Sequence, residues 1–238
     1  VVEIVFFSAN YGPTNWRNSP LNQHNNINLK REVPYNEIYL SSNKALIRYQ
    51  LAMVRKLVVE LNEFDNIYYE ICNEPYWLKG IPEVDSSIHE QQVTREIYEW
   101  QKNIASAVKE TEKALPKKHL IASNQAIVDY KKVDIANYHY VHISNIPDFD
   151  SLTRLNKVIS MDETMGSLYD ADVNDVRVEA WDFILHGGGA YDNLSWEYTP
   201  DRPQGTPGAD SIRQYLRHLK QFMDGFDYVR MKYSPEIL

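Results

Sequence analysis

Cysteine is almost missing from this chain: 238 residues contain only Cys72. That excludes an intrachain disulfide and any metal site built from several thiolates. Cys72 lies inside an apolar run, which marks it as a packed thiol rather than a nucleophile. No apolar stretch approaches the length of a membrane-spanning helix. The first residues lack the basic start, long apolar segment and cleavage site of a secretory leader. Internal repeats and low-complexity linkers are also absent. Basic residues are scattered and the net charge is −8, which argues against nucleic acid or an anionic membrane as the main partner.

What the chain does have is aromatic surface and a regular alternation of patterns. Its 17 tyrosines and 5 tryptophans provide the flat amphipathic faces that a sugar-binding cleft needs. The length suits one large domain over residues 1–238 with a sizeable core. Strand-like segments fall at 1–7, 67–72, 119–123, 133–138, 157–161 and 189–196. Helix-like segments fall at 43–61, 88–115, 171–185 and 208–222. In residues 43–61, Leu46, Leu51, Val54, Leu57, Val58 and Leu61 form an apolar stripe at helical spacing. This order predicts the α/β class, with a parallel sheet covered by helices.

A closed (β/α)8 barrel needs eight strands and the sequence supplies six. The opening residues already read as mid-barrel sequence, and both ends suggest cuts through a longer protein. The expectation is therefore a TIM barrel represented from its third to its eighth β/α unit. Residues 8–42 are rich in Asn and Pro and follow a strand. They predict a long loop over the catalytic face, with Asn10, Tyr11, Trp16, Asn22, His24, Asn25 and Asn26 as a substrate-facing rim. The alternative for each of these residues is an ordinary turn.

The chemistry is concentrated at strand ends. Ile67 to Cys72 runs directly into Asn73-Glu74-Pro75, so an amide and a carboxyl arrive together where barrel enzymes keep their catalytic groups. Strand alternation predicts that Tyr68, Glu70, Cys72 and Glu74 point inward. A second acid closes a later strand, where Met161 leads into Asp162-Glu163. Two carboxylates at different strand ends of one barrel can face each other across its mouth, which is what glycoside hydrolysis requires.

With these two acids, the chain resembles the clan A glycoside hydrolases, most closely the cellulase-like (family five) enzymes. The resemblance makes the strand of Glu74 the fourth and that of Glu163 the seventh. It implies that Glu74 is the acid/base, that Glu163 is the nucleophile and that Asn73 bonds the sugar 2-hydroxyl. Tyr138-His139-Tyr140 ends the sixth strand, where the family carries a sugar-contacting His and a Tyr that holds the nucleophile; either Tyr138 or Tyr140 fits the second role. Trp196 matches the family's sugar-stacking tryptophan. The family's Arg on its second strand has no counterpart in this sequence.

The resemblance implies a retaining β-glycosidase acting on a poly- or oligosaccharide without a metal or organic cofactor. It also implies an extracellular or periplasmic setting and allows for further domains. Two rivals differ in chemistry. One is a barrel that binds carbohydrate without turnover. The other is a metal-dependent hydrolase using His139, His142, Asp162 and Glu163, although no His-rich motif of accepted spacing supports it.

Overall fold

The computed structural model describes residues 1–9, 12–75, 87–141, 156–164, 173–193, 200–203, 205 and 207–231, with side chains omitted at 87–93 and 207–209. The chain divides into two compact units, Val1–Ile135 and Ala136–Leu238.

In the first unit, strands β1 (Val2–Val5), β2 (Ile67–Glu70) and β3 (Ile121–Asn124) lie side by side in chain order. All pair in parallel, with Ile4 opposite Tyr69 and Tyr69 opposite Ile121. The connections are helices: the short α1 (Pro13–Trp16), then α2 (Lys44–Glu60), and α3 (Ser87–Glu112) between β2 and β3. The predicted stripe on α2 is real at its centre, where Leu46, Val54 and Val58 are fully buried.

Aromatic side chains fill the layer between sheet and helices. Phe6 stacks on Tyr69 at 5.0 Å, and Tyr39 stacks on Trp100 at 4.3 Å. Burying one such side chain stabilises the fold by about 1.5–3 kcal/mol, provided its polar atoms find partners. Trp100 meets that condition through Gln50: its indole N–H donates to Gln50 Oε1 at 2.9 Å, and Gln50 Nε2 donates to the Ile38 carbonyl at 2.9 Å. One amide thus ties α2, α3 and the loop before α2 together.

That loop is less of a rim than the sequence suggested. Val33, Ile38 and Tyr39 are buried in the core, and the Tyr39 hydroxyl donates to the Ser8 carbonyl at 2.7 Å. The Asn22, Asn25 and Asn26 side chains donate to carbonyls of Trp16, Arg17, Ser19 and Pro20. The turn reading fits these three asparagines. Asn10 and Tyr11 lie outside the described residues.

The second unit contains β4 (Ile135–His139, whose first residue belongs to the first unit), β5 (Val158–Glu163) and β6 (Ala190–Tyr191). Helix α4 (Val173–Leu185) joins β5 to β6, and α5 (Pro207–Met223) follows β6. Strands β5 and β6 pair in parallel, with Ser160 opposite Ala190 and Met161 opposite Tyr191. Phe183 is fully buried beneath Gly188, where a Cβ would lie 2.3 Å from its ring. Only a residue without a side chain admits that approach. No described helix is long and apolar enough to cross a membrane.

Candidate active site

The junction after β2 is built by continued strand pairing. Beyond Glu70, the Asn73 N–H donates to the Phe7 carbonyl at 2.9 Å, and the Ala9 N–H donates to the Asn73 carbonyl at 3.2 Å. Tyr69 packs towards the helix layer, against Phe6 and His119. Cys72 is fully buried. Desolvation, and secondarily the charge of Glu70, push its thiol well above the usual range. It is therefore a packed thiol, as its setting in the sequence predicted.

Glu74 departs from the expectation in one respect. Its φ of +47° takes it out of the strand conformation, so alternation carried forward from Glu70 and Cys72 no longer sets its direction. A non-glycine residue in this region is strained by roughly 1–3 kcal/mol, and such strain clusters at functional positions. Glu74 is 93% buried, with 7% of its surface exposed.

In the second unit the chemistry gathers around Glu163. The Tyr140 N–H donates to the Glu163 carbonyl at 2.8 Å, continuing the pairing past the end of β4. The Tyr140 hydroxyl donates to Glu163 Oε2 at 2.5 Å, and His139 Nδ1 lies 3.3 Å from the same oxygen. Adjacent strand residues point to opposite faces, so His139 and Tyr140 could not both reach one carboxylate from a regular strand. The left-handed φ of +50° at Tyr140 removes that obstacle. Of the two candidate tyrosines, Tyr140 is the one whose hydroxyl meets Glu163.

Asp162 is the residue that sequence reasoning undervalued. Its Oδ1 lies 2.9 Å from His139 Nε2, on the far side of the ring from Glu163. Adjacent residues of a regular strand point to opposite faces, so only one of Asp162 and Glu163 would aim into the barrel. Instead, both reach the same imidazole, one at each nitrogen. A signal was present in the sequence: two adjacent acids end one strand and a histidine ends the strand before it.

The His139 side chain has no exposed surface, and both ring nitrogens face carboxylates. Burial opposes its charge, but contacts with Asp162 and Glu163 more than offset this and raise its pKa to about 10. Burial likewise acts to raise the pKa of Glu163. Hydrogen bonds from His139 and Tyr140, with the positive charge of His139, outweigh that effect and leave the carboxyl below its usual range. The result is a carboxylate that stays ionised, with both donors on one oxygen. His142 lies outside the described residues, as does Trp196.

No family model and no curated protein matches this sequence. Among solved structures, the endo-1,4-beta-mannanase from Rhizomucor miehei aligns over 92% of this chain and 71% of its own, with a TM-score of 0.61 and 12% identity. An endogalactoceramidase aligns more loosely, over 76% of this chain and 49% of its own, with a TM-score of 0.48 and 12% identity. The mannanase likeness shows the fold alone. The chain has the fold of part of a (β/α)8 barrel.

Proposed function

We propose that this protein is a retaining glycoside hydrolase that cleaves β-glycosidic bonds in a poly- or oligosaccharide. The observation that carries this reading is the clamp on Glu163, where Tyr140 and His139 hold a single carboxylate oxygen. With Oε2 occupied, Oε1 is the oxygen that attacks the anomeric carbon. Glu74 gives its proton to the departing glycosidic oxygen as the carbon–oxygen bond breaks, leaving a glycosyl ester on Glu163. Glu74, now a carboxylate, takes a proton from water, and the resulting hydroxyl displaces Glu163 with net retention. Asn73 holds the sugar 2-hydroxyl and Trp196 stacks beside the sugar at the cleavage point. The chemistry requires no metal or cofactor. Mannan heads the substrate panel because of the mannanase likeness, followed by glucan, xylan and smaller β-glycosides.

The test uses the full-length protein and an activated aryl β-glycoside. Glu163→Gly should abolish turnover, with azide restoring it and yielding a glycosyl azide of inverted configuration. Glu74→Gly with azide should give the retained product. An inverted azide from Asp162→Gly rather than Glu163→Gly would move the nucleophile by one residue. Trp196→Ala should lower kcat/KM by about one order of magnitude or more at nearly unchanged Tm. A large fall in Tm with full activity in the folded fraction would instead make Trp196 a core residue.

A further inference from the structure

We propose that Asp162 and His139 form a fixed brace behind Glu163, in which Asp162 holds the imidazole as a two-proton donor and the imidazole in turn fixes the carboxylate. Both are then positioning residues, and His139 serves the nucleophile rather than the sugar. This deepens the glycosidase reading and rests on it.

The geometry leaves the ring little choice. Nε2 faces Asp162 Oδ1 at 2.9 Å, and Nδ1 faces Glu163 Oε2 at 3.3 Å. Ionised carboxylate oxygens only accept, so a ring set between two of them is matched by a proton on each nitrogen, and an imidazole with two N–H groups is a cation. A neutral ring would satisfy one oxygen and turn a lone pair towards the other. The side chain is wholly enclosed, so water cannot take over either contact.

The charges also balance sensibly. Two carboxylates and one imidazolium leave a single negative charge, which belongs on the nucleophile. Tyr140 adds a neutral donor to Oε2 without changing that count. Asp162 has no direct part in the bond changes; it keeps the proton on Nε2. Removing its charge weakens the ring's hold on its second proton, and Glu163 then loses both a donor and a nearby cation. A nucleophile released in this way costs on the order of 10²-fold in rate, as does a displacement of about 1 Å.

The test uses the full-length protein labelled with nitrogen-15 at histidine. Wild-type His139 should show protons on both ring nitrogens at pH 7, and in Asp162→Asn its deprotonation should move to lower pH. Turnover of an aryl glycoside by Asp162→Asn should fall on the order of 10²-fold in kcat with KM nearly unchanged. Asp162→Glu should recover part of the loss. A single ring proton on wild-type His139 at pH 7 overturns the brace without recourse to any variant. So does an Asp162→Asn protein with wild-type kcat and an unchanged His139 titration. Intact nitrogen-15 behaviour in a wild-type protein that hydrolyses no glycoside overturns the glycosidase reading and upholds the brace.

Discussion

Two buried histidines, one in each unit, show how the same contact serves different ends. His119 lies just before β3, with Nδ1 at 2.6 Å from Glu112 Oε1 and Nε2 at 2.7 Å from the Phe64 carbonyl. Glu112 Oε1 also accepts from the His119 backbone N–H at 3.0 Å. These partners come from the end of α3 and from the loop ahead of β2, so the pair staples the side of the sheet where the strands begin. His139 lies at the opposite end of its own strand, between two acids that close β5. In (β/α)8 barrels the end where strands begin is given to stability and the end where they finish to chemistry. The comparison teaches that a buried His–carboxylate contact says little by itself; its strand end decides the reading.

The largest effect that separates the two sites is on stability. His119→Ala leaves Glu112 buried with one fewer donor, and removing one partner from such a pair costs about 3–5 kcal/mol. A small barrel has roughly 5–15 kcal/mol in all, so Tm should fall sharply while kcat of the folded fraction stays at the wild-type value. Replacing both partners by apolar residues, as in Glu112→Leu with His119→Phe, should recover most of the lost Tm. The same exchange at His139 and Asp162 should not recover kcat. Thermal melts with parallel assays decide it, and a His119→Ala protein that is stable but slow would break the comparison.

The sequence pattern revealed the strands and helices because each unit buries its apolar faces in the regular way. Helix α2 and strand β4 fall within two residues of the expected bounds at either end. That a tyrosine ending β4 meets Glu163 was legible because strand ends concentrate chemistry, but the choice of Tyr140 over Tyr138 was not. The left-handed turns at Glu74 and Tyr140 were not legible, since neither residue is of a type that announces positive φ. The role of Asp162 was hidden for the same reason: it depends on a ring placed by a neighbouring strand, and alternation within its own strand argues against it. The buried part of residues 8–42 was missed because Val33, Ile38 and Tyr39 stand in an irregular segment without periodicity to mark them.

A smaller effect concerns pH. His139 is raised above its ordinary value, so its contribution to stability is complete below about pH 6.5 and is lost as pH climbs through about 10. Glu163 is lowered, so its contribution is present above the ordinary carboxylate range and is lost as pH falls through its depressed value. Tm followed from pH 6 to 10 should therefore decline, and Asp162→Asn should flatten that decline because its His139 is already less strongly charged. An identical alkaline slope in both proteins would show that His139 does not carry the difference.

The smallest effect, and the one that most sharpens the picture of Glu163, comes from removing a single hydroxyl. Tyr140→Phe keeps the ring and the backbone turn and deletes only the donor to Oε2. A hydrogen bond to a charged group contributes about 1.5–3 kcal/mol, but here His139 still holds the same oxygen, so the loss should sit at the lower end, roughly ten-fold in kcat/KM. The direction of the pH effect follows from the remaining contacts. Without the hydroxyl, burial is opposed by His139 alone, so the Glu163 carboxyl rises towards its ordinary value. The acid limb of kcat/KM reports protonation of the free enzyme's nucleophile and should move to higher pH, with Tm almost unchanged. An acid limb that stays in place while activity falls would mean that Tyr140 meets the substrate and not the nucleophile.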